Sequence, residues 1–205
     1  MHIFWRTLTL PLQFPGHWIR LRSPLLQKDG TRIIGEVDAP LRTQGFFQDT
    51  VEALDLIRSS DERRYRRIVR VSRIIVSRPL PFLAQYQSFK TCVIDYPYLA
   101  QKYPARKQRI ALLCCILIHE ATHGELERKG FGYTRATFLR HERLCCLEEM
   151  RFAKRITGFY PNAERCASAH DSKQPYIHGP RQMLNNFRKH WRRLRKSRGD
   201  AESKS

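Results

Sequence analysis

The chain has 205 residues and a 41% hydrophobic fraction, enough for one domain, or one domain with tails, around a modest core. Its net charge of +19 favours polyanionic partners, either nucleic acid or an anionic membrane surface. No apolar run reaches the ~20 residues that span a bilayer, and neither a Gly-rich phosphate loop nor an internal repeat is present.

The N-terminal stretch MHIFWRTLTLPLQFPGHW is apolar in patches, but Arg6, Pro11 and Pro15 interrupt it. It reads as neither a signal peptide nor a membrane span, and a cytoplasmic location is the expectation. Residues 1–40 read as extended. His17–Leu21 alternates, Asp29-Gly30 is a turn signal, and Ile33, Ile34 and Val37 follow. These predict a hairpin whose first strand Pro24 shortens or confines to an edge. After Gly45, Phe47, Val51, Leu54 and Ile57 recur at helical spacing, so a helix is expected from about Phe46 to Arg58. Ser60-Asp61-Glu62 suits the cap of a further turn.

Asp61–Arg78 holds seven arginines. Within it, Arg67–Ser77 is rich in β-branched residues and alternates; it reads as a strand, with helix as the alternative. Pro79 and Pro81 end it. Thr91–Tyr96 reads as a short strand before Pro97.

The most informative stretch is Ile110–Arg128. Pro104 suits the first turn of a helix there and Gly130 the position just past its end. Ile110–Ile118 is apolar throughout, the mark of a buried helix. The run leads into His119-Glu120-Ala121-Thr122-His123, a match to H-E-x-x-H. Residues four apart share a helix face, so His119 and His123 can offer two nitrogens to one metal ion. Glu120, turned about 100° from His119, flanks the ion as a carboxylate able to take a proton from water.

A short loop, Gly130–Tyr133, separates this helix from a second helical pattern over Thr134–Thr157, and short loops make antiparallel neighbours. The histidine midpoint lies ~12 Å before the loop, which places a level partner about eight residues beyond it. Glu142 is there; Glu149 lies ~10 Å further on. On the helical wheel Leu139, Cys145, Cys146, Phe152, Ala153 and Ile156 form an apolar arc, and Glu142 and Glu149 fall in its middle. A glutamate in mid-core is rarely left unpaired. Glu142 is therefore the expected third ligand, and Glu149 a carboxylate behind the ligands that orients one of them. The six cysteines, four of them in adjacent pairs on these two helices, lack C-x2-C spacing and read as packing residues of a reducing compartment.

His119-Glu120-x-x-His123, eighteen residues, then Glu142 resembles the gluzincin metallopeptidase pattern, over about residues 104–157. The resemblance implies zinc held by His119, His123 and Glu142, with Glu120 as catalytic base and a peptide or protein as substrate. Lys129 stands where the metzincin pattern would need a histidine. The fold expected is α+β: a small zincin-like domain with a buried H-E-x-x-H helix, an antiparallel partner helix and a few N-terminal strands. By analogy with such folds, Phe82–Ile94 is the region whose strand edge would meet an extended peptide.

Beyond Gly158 the chain is polar, and His170, Tyr176 and His178 are candidates for steadying an oxyanion. One domain is expected over residues 1–180. Residues 181–205 form a tail with nine Arg or Lys, whose Met183, Phe187 and Trp191 share one face of a possible helix. The tail is a candidate for polyanion contact. The rival to a zinc hydrolase is accordingly a basic nucleic-acid-binding protein whose zinc is structural or a relic.

Overall fold

The computed structural model describes residues 4–5, 24–36, 39–80, 83–87, 90–132, 134 and 137–156. They form an α+β fold in the order β1 (Phe4–Trp5), β2 (Pro24–Lys28), β3 (Thr31–Ile34), α1 (Pro40–Ser60), α2 (Glu62–Val71), β4 (Ile74–Ser77), β5 (Ala84–Gln87), β6 (Thr91–Ile94), α3 (Tyr96–Lys102), α4 (Arg106–Arg128) and α5 (Phe138–Ile156). The strands make one mixed sheet in the order β1-β2-β3-β4-β6-β5. At its centre β3, β4 and β6 run parallel; β2 and β5 flank them antiparallel. No helix among the described residues is long and apolar enough to cross a membrane.

The β2–β3 hairpin turns on Asp29 (φ 48°) and Gly30 (φ 79°), both in the left-handed region that a two-residue type I′ turn requires. Its first strand starts at Pro24; His17–Leu21, and the segment from residue 157 to the C-terminus with His170, Tyr176, His178 and the basic tail, lie outside the described residues. Helix α1 begins at Pro40, earlier than the periodicity suggests, because proline fits a first helical turn. Gly45 lies inside it, and a Cβ there would sit 3.2 Å from the Tyr96 hydroxyl.

The expected strand Arg67–Ser77 is corrected. Its first half belongs to α2, and only Ile74–Ser77 is extended. Asp61 decides the matter. Its carboxylate accepts the Arg64 backbone N–H at 3.1 Å as an N-cap and also the Arg64 guanidinium, so a helix nucleates where β-branched residues alone would favour a strand. Tyr65, Ile68 and Val71 then turn inward. The sheet ends in the same manner: Asp95 accepts from Tyr98 N–H at 3.0 Å, starting α3 directly after β6.

Helix α4 is the centre of the molecule. Every residue from Ile110 to Thr122 is buried, and α4 packs against α1, α2, α5, β5 and β6. Pro104 lies two residues ahead of it, with Ala105 as N-cap. At the other end Phe131 N–H bonds Leu126 O at 3.0 Å and Gly130 N–H bonds Glu127 O at 2.9 Å, with Gly130 at φ 80°. This is the Schellman pattern, which satisfies the last carbonyls and turns the chain back.

The N-terminal end of α4 is tied to α1 by two carboxylates, Glu52, which pairs with Arg106 at 2.6 Å, and the buried Asp49. Asp49, 1% exposed, accepts from the Tyr96 hydroxyl at 2.7 Å, Arg106 Nε at 2.9 Å and Arg109 Nε at 2.5 Å. Removing one member of a buried charge cluster strands the others. Asp49→Ala should therefore lower stability by about 3 kcal/mol. Urea unfolding followed by circular dichroism checks it: the midpoint should fall with no change in slope.

Candidate metal centre

The buried run of α4 delivers His119 and His123 to its junction with α5. α5 returns antiparallel beyond the Gly130 turn and presents an inward stripe of Glu142, Cys145, Cys146 and Glu149, spaced three, four and seven residues from its first member. Leu139, expected on this face, is instead 62% exposed, since the stripe begins only where α5 meets α4.

The donor atoms converge closely. His119 Nε2 and His123 Nε2 are 3.2 Å apart. Glu142 sets Oε2 3.4 Å from His119 Nε2 and Oε1 3.3 Å from His123 Nε2. For a tetrahedral ion with bonds of 2.0–2.2 Å, neighbouring donors are separated by about 3.4 Å. Each histidine nitrogen thus lies at about that spacing from the other and from one oxygen of Glu142, Oε2 for His119 and Oε1 for His123. On the far side of the ring, His119 Nδ1 lies 3.2 Å from Glu149 Oε2. Glu149 is fully buried, and its Oε1 has no hydrogen-bond partner among the described residues.

Tautomer chemistry sharpens the fit. A neutral imidazole that donates Nδ1–H to Glu149 keeps a bare lone pair on Nε2. That lone pair faces His123 Nε2 and a Glu142 oxygen, an arrangement of nitrogen and oxygen atoms that a cation would suit. Burial works against a charged His119, but Cys146, Glu142, Glu149 and the charge of Glu120 outweigh it and hold its proton on well above the usual histidine range. A divalent ion would supply positive charge there with three donors already placed.

Glu120 is buried, 7% exposed, next to His119 on α4. Its charge is felt by Cys92 of β6, whose thiol is pushed well up, first by burial and then by Glu120. Thr122, inside the motif, bonds Ile118 O at 2.8 Å and receives Arg67 Nη1 at 3.2 Å. Arg67 also reaches Glu148 at 3.1 Å, and Arg64 reaches it at 3.2 Å. Helix α2 therefore braces α4 and α5 from behind. Gly124, directly after His123, allows a close approach: a Cβ there would fall 2.6 Å from the Tyr86 ring of β5.

Two of the cysteines also stand close to the histidines. Sγ of Cys145 lies within 4.8 Å of donor nitrogens of both His119 and His123, and a second group of the same tightness joins His119, Cys146 and Glu149. These residues could hold a metal, and reading the sequence for C-x2-C motifs missed them. Their signal was positional: they share the helical stripe of the two glutamates. Cys145 is fully buried, and its thiol is held protonated above the usual range by burial, against the opposing charge of His119.

No protein-family model matches the chain, and neither does any curated protein or solved structure.

The two buried glutamates make separable contributions. Glu142→Ala removes an oxygen from the donor triangle and should abolish tight zinc binding. Glu149→Ala leaves the triangle and frees only the back of the His119 ring, so it should weaken zinc by roughly 10–100-fold. Isothermal titration of both variants with zinc measures the difference; the reverse order would assign Glu149 to the triangle.

Proposed function

We propose that this chain is a zinc-dependent hydrolase of the gluzincin kind acting on peptide bonds, with His119, His123 and Glu142 as the ligands and Glu120 as general base. One observation carries the reading: the Nε2 atoms of His119 and His123 lie 3.2 Å apart, and each lies 3.3–3.4 Å from one carboxylate oxygen of Glu142 on the facing helix. When bound, zinc polarises a carbonyl and makes water acidic enough to deprotonate near neutrality.

The remaining steps belong to the chain's own residues. Glu149 holds Nδ1–H of His119, which points the Nε2 lone pair at the ion. Glu120 follows His119 by one residue and so stands beside the ligand face. It takes the proton from the attacking water and passes it to the leaving amine. β5 ends the sheet order, and its outer edge is the place for an extended substrate backbone to pair. The contact of Tyr86 with Gly124 sets that edge against the histidine helix.

A second reading has its own observation. Cys145 stands close to both histidines, and a fourth protein ligand would close the site and make it structural. It would then belong to the basic nucleic-acid-binding protein that the charge of +19 brings to mind.

The purified chain should contain stoichiometric zinc by elemental analysis. Glu120→Gln should retain that zinc while its rate on a quenched peptide library falls on the order of 10²–10⁴. Full activity in a zinc-loaded Glu120→Gln protein would overturn the assignment. A cobalt-substituted chain that shows a thiolate charge-transfer band, lost in Cys145→Ser, and that has no hydrolytic activity would establish the structural reading instead.

A further inference from the structure

The outer face of α2 carries chemistry that the metal centre does not use. Tyr65, Ile68 and Val71 point into the core. Arg63, Arg66 and Arg70 are exposed and lie three and four residues apart, in one stripe. Together with Arg67 and with Lys129 at the end of α4, they line a cleft of about 480 Å³. Among the described residues its carboxylates are Glu62 and Glu125, so five cations face two anions there. Both anions are already engaged. Glu62 accepts Arg66 Nε at 2.9 Å. Glu125 is bound by Arg128 and Arg70, which hold its carboxyl down at about 2 despite some burial. No carboxylate of the described residues lies within ion-pair distance of Arg63.

We infer that this cleft binds the phosphate backbone of nucleic acid, independently of any hydrolytic activity. Three features favour that occupant. Arginine forks match phosphate oxygens in bidentate geometry. From Arg63 to Arg70 the helix rises ~10.5 Å, equal to about three nucleotides of axial rise at 3.4 Å each along a duplex. No apolar or aromatic side chain of the described residues lines the cleft, whereas a helix that lies on a lipid surface inserts such residues. The floor of the cleft is fixed, since Arg67 is bonded to Thr122 and Glu148; the stripe is therefore presented on a rigid support.

The test uses the full-length chain and fluorescein-labelled duplex DNA titrated over a range of salt. Arg63→Ser/Arg66→Ser should weaken binding and lower the slope of log K against log salt by roughly two, one per lost phosphate contact. A charge-matched control, Arg42→Ser/Lys102→Ser, removes two exposed cations that do not line the cleft and should leave the slope unchanged. Far-ultraviolet circular dichroism and the urea unfolding midpoint confirm that both variants are folded. An unchanged slope in the α2 variant overturns the inference, and so does an equal loss in both variants, which would mean diffuse attraction only. Phosphatidylserine vesicles form the last arm: binding to them that depends on Arg63 and Arg66, with DNA binding unaffected, would make the surface a lipid contact and overturn the nucleic-acid assignment.

Discussion

An apolar helix that ends in ionisable groups sets the central constraint of this molecule. Burying Ile110–Ile118 on all sides requires neighbours all round α4, and α1, α2, α5 and the β5–β6 end of the sheet provide them. That same enclosure puts His119, Glu120 and Glu149 where water is scarce. Charge in such a place must be neutralised locally or it opposes folding. Two imidazoles among three glutamates meet the requirement only with added positive charge, whether from a proton or from an ion. On α5 the inward residues level with that end of α4 are the donor groups Glu142, Cys145, Cys146 and Glu149, and the apolar Phe152, Ala153 and Ile156 follow them.

The chain keeps its two kinds of charge pairing apart. On α5, Glu142 and Glu149 turn toward the histidines, while Glu148, between them in sequence, turns to Arg64, Arg67 and Arg151. Burial alone would raise the Glu148 carboxyl, yet these arginines hold it below the usual range. The arginine lattice of α2 thus fastens α5 without drawing on the groups around His119. Asp61 has two parts in that lattice, as N-cap of α2 and as partner of Arg155 near the end of α5 at 2.7 Å.

Features governed by local chemistry could be read from the sequence. The Asp29-Gly30 turn, the stop at Gly130 and the buried character of α4 each follow from a few adjacent residues. The level placement of Glu142 with the histidine pair needed only helix rise and loop length, and the structure brings those atoms together. Features governed by competition were harder to see. Arg67–Val71 has strand-like residues, but the Asp61 cap and the arginine contacts to α5 override their propensity. Cys145 and Cys146 look like small apolar residues until α5 is docked, because their distance to His119 depends on the packing of two helices. Leu139 satisfies the wheel but lies beyond the point where the helices touch.

The donor triangle also acts as a gauge of the α4–α5 joint. Two of its corners ride on one helix and the third on the other. A slide of a single residue along the axis is ~1.5 Å, nearly half the 3.2 Å edge between the histidine nitrogens. The Gly130 turn fixes that registration at one end and the Arg155–Asp61 pair at the other. Inserting one residue into α5 between Glu142 and Arg155 would therefore turn Glu142 by about 100° and shift it by ~1.5 Å relative to the end that Asp61 holds, so that the donors no longer meet.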